Sequence, residues 1–430
     1  MNPFRKIGKI ELEKTDEVLS REKPITDTQT RYGNSYYYGS SEDSSVSRES
    51  LMRKIEGTEI KELYVHVPFC ERRCLYCTYS LVTGQDEATR ERYVDEFSSE
   101  AEDVANRFNF EGLRTVHVGG GTPNRLTNPQ LDKFLGIINS NFDGESLVEK
   151  AIEITPSEAN EGTLQIIRRN GFNRVSIGIQ TFNQEINELN GRLNQDSNDV
   201  RTLVRSAREL YPNVSVDLLA GQRGQTQRIL EDDYKSALDL DPNSIYLYQI
   251  RQGFKNRGVE EIEALNEFLS FFTQHGYEIV SHNQVIKKRN SDGYCEQRDG
   301  RAKLENLLGL GPSANSEIEG FAFTNLTPSK YLKFGRGIDE ETIRLKTQRN
   351  QKALRLLRAL RYFTDPSING LNIESYREKF GSYPAEDFKD QLNVLRQNTL
   401  VTIDPTRIQI TDKGMLFTQW IDNYLTGHYK

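Results

Sequence analysis

The sequence predicts an α/β fold: a partial (β/α)6 barrel with an N-terminal arm and a C-terminal helical, winged-helix-like domain. Strand-like runs at 62–67, 115–118, 150–154, 174–179, 214–219 and 244–250 alternate with segments of helical spacing, the pattern of parallel βα units. Six such units, rather than eight, make an open ring. Cys70, Cys74 and Cys77 follow the first run directly, which sets them on the rim where the βα loops meet and such barrels do their chemistry. Past residue 330 the alternation gives way to helices and a hairpin. The expected units are an arm over 1–57, a barrel over 58–330 and a C-terminal domain over 331–430.

Composition sets the bounds. A chain of 430 residues is too long for one small core, and 28% charged with 10% aromatic residues is ordinary for a globular protein. No apolar run reaches the length of a membrane span, and the first residues lack a signal-peptide core, so no membrane partner and a cytoplasmic location are expected. The net charge of −7 argues against a nucleic-acid partner, which would want a basic face.

Each element has its own signal. Residues 1–57 read as polar and irregular, and Tyr36, Tyr37 and Tyr38 would either fold over a binding mouth or pack outside it. The first strand carries Leu63, Tyr64, Val65 and Val67. Val94, Phe97, Ala101, Val104 and Phe108 form one helical stripe; a second helix starts at Asn128-Pro129, read as cap and first-turn proline. A third helix ends at Gly171, and a fourth carries Val200, Leu203, Val204, Ala207 and Leu210. A helix from about 259 stops at His275-Gly276, before a strand at Tyr277. Near the end, Gln351 to Phe363 is an amphipathic helix with Leu354, Leu357 and Leu360 inward. Two shorter helices, a hairpin over 401–403 and 408–410, and a last helix from Thr411 follow. This tail reads as a packing lid on the barrel, with DNA binding the sharper alternative.

Three of the four cysteines lie within eight residues, at C-x3-C-x2-C spacing. A disulfide would leave one thiol over, and a structural zinc site would need a fourth strong ligand nearby. Three sulfurs suit an iron–sulfur cluster held by three corners, with one iron left open. The second signal is His117 to Pro123, HVGGGTP, whose glycines let backbone approach a ligand closely. Glu153, Gln180 and Asp217 end successive strands and face the same mouth. Arg192 is positioned to pair with a ligand carboxylate, and Tyr76 to cover an adenine face. His66 reads as a residue packed behind the cluster rather than a base, His117 as strand core, and His282 as a strand-end histidine.

C-x3-C-x-Φ-C after a first barrel strand resembles the radical S-adenosylmethionine (SAM) superfamily. GGGTP, NRVSIGIQTF, VDLL-x-G-Q-x-x-QT and LLGLGPSA-x-S, in that order over 58–320, resemble its HemN-like branch, the oxygen-independent coproporphyrinogen III oxidase family. The resemblance implies a partial (β/α)6 radical SAM barrel, a [4Fe–4S] cluster on Cys70, Cys74 and Cys77, and two SAM molecules. The first SAM would meet Tyr64, Gly120, Glu153 and Asn315. The second would meet Tyr76, Gly121, Thr122, Gln180, Arg192, Asp217 and the chain near Arg251. Two departures are Arg223, where the family carries proline, and Asn315 itself.

The resemblance also narrows the reaction. Porphyrin-pathway oxidases carry an extra cysteine two residues past the third ligand, where Tyr79 stands here. The heme-trafficking members share a His-Asn-x-x-Tyr-Trp motif, and the matching stretch from Tyr294 lacks it. The favoured expectation is therefore transfer of a methyl or methylene group from the second SAM to an unsaturated or aromatic carbon. Heme or porphyrin modification, and heme chaperoning without catalysis, are the alternatives. The partners implied are a small-molecule substrate and an electron donor such as flavodoxin or ferredoxin. Cys295 reads as a loop cysteine or a substrate-side thiol, the former favoured. Arg223, Arg251, Arg298 and Arg301 form a cationic pocket side or lie scattered on the surface.

Overall fold

The computed structural model describes residues 6–21, 47–192, 195–250, 259–287, 303–345, 348–361 and 370–427. Arg251, Cys295, Arg298, Arg301, Tyr294 and the tyrosines at 36–38 lie outside the described residues.

The six expected strands form side by side: β1 (Glu62–Val67), β4 (Thr115–Gly120), β5 (Glu149–Ile154), β6 (Arg174–Gln180), β7 (Asn213–Ala220) and β8 (Ser244–Gln249), all parallel. The short strands β2 (Phe69–Cys70) and β3 (Val82–Thr83) pair with each other and bracket the cysteine loop. The main sheet is open; of its edge strands the one at Tyr277 was expected, and the others were not separated by the periodicity. Beyond β8 come β10 (Gln284–Lys287) and β9 (Tyr277–Ser281), both antiparallel. Beyond β1 come β11 (Leu307–Leu310), parallel, then β12 (Asn315–Ile318), β13 (Phe321–Asn325) and β14 (Ile338–Leu345), antiparallel. The sheet therefore continues past residue 330.

Helices cover the outer face. They are α3 (Glu87–Arg107), α4 (Asn128–Phe142), α5 (Glu161–Arg169), α6 (Gln184–Leu189), α7 (Ser197–Leu210), α8 (Gln227–Leu240) and α9 (Val259–Gln274). Val94, Phe97, Leu131, Phe134, Leu164, Val204 and Phe268 are fully buried against the strands. Parallel strands covered on the outside read as continuous apolar runs, which is why they were visible in the sequence. The α4 cap is Thr127, not Asn128: Gln130 accepts the Thr127 backbone N–H at 3.1 Å, one half of a capping box.

The described parts of the arm, 6–21 and 47–57, are helical where the composition suggested an irregular chain. They hold α1 (Lys9–Arg21) and α2 (Arg48–Ile55), anchored by buried Leu12, Leu19, Leu51 and Ile55. So few apolar positions in a charged stretch leave almost no periodicity to read. Ile7 and Asn266 of α9 exchange two hydrogen bonds, at 3.1 and 2.8 Å, which pin the arm to the barrel. At the far end, the helix Gln348–Arg361 buries Leu354, Leu357 and Leu360 as expected. The hairpin forms and gains a third strand, Leu371–Asn372. The expected last helix is two, Asp412–Leu416 and Thr418–Gly427, with buried Phe417 at the turn.

Candidate active site

The strand ends open into one cavity of about 940 Å³. Cys70, Cys74 and Cys77 line it together with Tyr76, Gly120, Gly121, Thr122, Glu153, Gln180, Arg192 and Asp217. Arg223 also reaches this wall. Tyr64 and Asn315 do not border the cavity. Tyr64 stacks on His117, ring centroids 5.9 Å apart, and Asn315 lies on β12, where its Oδ1 accepts from Thr324 at 2.7 Å.

The cysteine loop is closed at several points. The Cys77 N–H donates to the Cys74 carbonyl at 3.1 Å, and the Leu75 N–H donates to Asn190 at 3.0 Å. The Arg73 guanidinium donates to the carbonyls of Cys77, Tyr79 and Leu81, at 3.0 to 3.3 Å, and so ties the middle of the loop to the chain that leaves it. Cys70 Sγ lies 3.4 Å from the Thr122 hydroxyl. Burial pushes the Cys70 thiol up to about 11 and raises Cys77 as well. Such thiols are held protonated until a metal displaces the proton, as metal binding to cysteine requires. Among the described residues no three His, Cys, Asp or Glu side chains converge on one metal-ion position. Three cysteine sulfurs on one wall of the cavity are the donor set that an iron–sulfur cluster would take.

The glycine triplet is demanded by the protein itself. Gly120 has φ +111°, and a Cβ there would sit 2.7 Å from the His66 ring. A Cβ on Gly121 would lie 2.7 Å from the Phe69 carbonyl, because the Gly121 N–H already donates to Val67. The triplet thus seats the β4 loop flush against the cysteine loop.

Behind it, His66 is buried, and its Nε2 lies 2.8 Å from the Ser80 carbonyl. That contact requires a proton on Nε2, which leaves Nδ1 to accept the Tyr64 hydroxyl at 3.1 Å. Burial holds the imidazole below its ordinary value, so the ring is neutral. The ring thus links Tyr64 to the Ser80 carbonyl and does not border the cavity. His117 is not plain strand core, for its Nε2 lies 2.9 Å from Glu153 Oε1 and orients that carboxylate in the cavity. Ser176 donates to Asp217, with both carboxylate oxygens at 3.0 Å, and fixes it likewise.

Gln180 ends β6 in the left-handed region, φ 70°, at a β-bulge. Arg192 Nε donates to Gln195 Oε1 at 2.7 Å and Nη2 to the Gly178 carbonyl, while Gln195 Nε2 donates to Ile179 at 2.7 Å. Tyr76 faces Arg192 and Cys74, and burial raises its phenol well above the ordinary value. Arg73 and Gln195 were missed in the sequence. Both act on backbone carbonyls, and no motif spacing signals such a partner.

A sequence model of the radical SAM superfamily matches residues 64–237, and one of the HemN C-terminal domain matches 369–417. The chain is 26% identical to the heme chaperone HemW of Lactococcus lactis over 376 residues, 82% of this chain and 93% of that one. It is 29% identical to the oxygen-independent coproporphyrinogen III oxidase of Escherichia coli over 411 residues, 84% and 85% of the two chains. The solved coproporphyrinogen III oxidase (HemN) of Escherichia coli, described as a radical SAM enzyme, superposes with a TM-score of 0.74. That match has 22% identity over 90% of this chain and 96% of that one. Among the described residues no helix is long and apolar enough to cross a membrane.

Proposed function

We propose, for a chain that belongs to the radical SAM superfamily and to its HemN-like family, that it binds two SAM molecules and transfers a methyl or methylene group from the second to an unsaturated or aromatic carbon of a small substrate. One observation carries the reading: Tyr76, Gly121, Thr122, Gln180, Arg192 and Asp217 border the same cavity as the three cysteines. At about 940 Å³ the cavity stands at the upper end of small-molecule sites, which run roughly 300–1,000 Å³.

Cys70, Cys74 and Cys77 would hold the [4Fe–4S] cluster. When bound, cluster and SAM supply one-electron cleavage of a carbon–sulfur bond and the hydrogen abstraction that follows. The chain does the rest. Arg192, fixed by Gln195 and Gly178, offers its cation to a ligand carboxylate. Glu153 and Asp217, oriented by His117 and Ser176, accept hydrogen bonds from ligand hydroxyl or amino groups. The residues of 58–330 carry this chemistry on our reading, those of 331–430 form a HemN-like C-terminal unit, and the electron comes from a flavodoxin- or ferredoxin-type donor.

A second reading is a tetrapyrrole substrate, or heme carriage without catalysis. What favours it is that the relatives aligned over most of both chains are named a heme chaperone and a coproporphyrinogen oxidase. Against the oxidase stands Tyr79, an exposed residue at the mouth where those enzymes would place a further cysteine. Methyl-deuterated SAM separates the readings. Reconstituted, reduced protein is expected to give 5′-deoxyadenosine carrying deuterium. Unlabelled 5′-deoxyadenosine, or tight heme binding with no SAM cleavage, would overturn methyl transfer in favour of the second reading.

A further inference from the structure

One buried carboxylate outside the cavity holds two of the loops that build it. Asp233, on α8, is 2% exposed. Its Oδ1 accepts the Thr181 hydroxyl at 3.0 Å and the Phe182 backbone N–H at 2.7 Å. Its Oδ2 accepts from Gln225 Nε2 at 3.4 Å. Gln225 in turn uses Oε1 to take the N–H groups of Gly221 and Gln222, at 3.0 and 3.3 Å. Gln222 Nε2 donates back to the Gln180 carbonyl at 3.3 Å. These bonds form a closed ring that runs from the end of β6 through α8 to the end of β7 and returns.

Gln180 sits inside that ring in a left-handed conformation that a residue with a side chain adopts only under constraint. The same backbone stretch carries the Gly178 and Ile179 carbonyls that hold Arg192 and Gln195. The ring thus reaches two cavity residues through a side chain that does not line the cavity.

We infer that Asp233 is a positioning residue that fixes the β6 and β7 loops, so that Gln180 and Arg192 meet the cavity in one arrangement. The identity of the ligand as SAM rests on the proposed function; the loop geometry does not. A carboxylate is the group the ring requires. Both its oxygens accept, whereas an asparagine would turn an NH2 towards the Phe182 N–H or the Gln225 amide. Burial raises Asp233 to about 6 while its three donors pull the other way, so the anion is the prevailing form at neutral pH.

The test compares wild type, Asp233→Asn and Thr181→Val as full-length, cluster-reconstituted chains. It reads backbone amide exchange at 180–182 and 221–222, and the SAM dissociation constant by equilibrium dialysis. For Asp233→Asn the expected result is exchange at least roughly tenfold faster at both loops and SAM binding about tenfold weaker, with distant amides unchanged. Thr181→Val, which loses one bond, should shift both readouts by about two- to threefold. Unchanged exchange overturns the inference, and so does faster exchange with unaltered SAM affinity. Should wild type bind no SAM, the proposed function fails, and exchange alone then decides the positioning role. If Asp233→Asn does not fold, Thr181→Val and Gln225→Leu give the same comparison.

Discussion

Glu100, buried on α3, accepts the Gly311 N–H and the Tyr331 hydroxyl at 3.1 and 2.7 Å on one oxygen, and Asn325 at 3.3 Å on the other. Burial raises it to about 7 despite those donors, from 4.5. The folded state therefore keeps a proton that the unfolded chain has already lost between pH 4.5 and 7. Stability from this group falls as pH rises through that window and is flat above it, a difference of about 3 kcal/mol. Denaturant unfolding of wild type minus Glu100→Gln, followed from pH 5 to 8, should show that slope; parallel profiles would contradict it. The residue scale also shows what a sequence can carry. Cys70, Cys74 and Cys77 were legible because their partnership is local. Glu100 and Gly311, 211 residues apart, were not, and neither were Asp233 and its loop partners.

The cysteine loop depends at the scale of elements on what abuts it. Arg73 binds three of its carbonyls in a fork that lysine cannot reproduce. Arg73→Lys is expected to leave the fold intact and to speed loss of the reconstituted cluster to a chelator by about tenfold, the low end for residues that support metal ligands. Absorbance decay under EDTA measures it, and an unchanged rate would remove Arg73 from the account. Gly121→Ala forces a methyl group to 2.7 Å from the Phe69 carbonyl, so β2 and the β4 loop must part. The expected cost is about 1–3 kcal/mol, with lowered cluster occupancy. The strands and covering helices were legible because burial imposes a period on each of them. The arm helices rest on two buried leucines and a second short pair of apolar residues, too few to set a period. The strand at Tyr277 was announced by the helix before it, whereas β10 to β13, four or five residues each, and β14 follow the ring rather than alternate with helices, so no βα pattern announced them.

Across the molecule, Arg358 of the C-terminal helix Gln348–Arg361 donates to Glu317 of β12, with both carboxylate oxygens at 2.9 Å. The pair is about nine-tenths buried, at 10% and 12% side-chain exposure, and it joins the C-terminal region to the main sheet. Removing one partner strands the other, so Arg358→Met is expected to cost about 3 kcal/mol, and Arg358→Met with Glu317→Leu to recover most of it. The single tryptophan is a reporter for this region, because Trp420 Nε1 donates to the Leu19 carbonyl of α1 at 3.1 Å. Its fluorescence should follow the same unfolding curve as circular dichroism if arm, barrel and tail unfold together, and separate curves would show that they do not. The proposed function rests on one demand, that three thiolates at the barrel mouth hold a cluster able to cleave SAM. Iron analysis and product analysis on one anaerobically reconstituted sample test it most directly. The account predicts about four irons per chain and 5′-deoxyadenosine formed on reduction, both lost in the Cys70→Ala, Cys74→Ala, Cys77→Ala triple variant. No iron bound by wild type, or 5′-deoxyadenosine still formed by the triple variant, would contradict it.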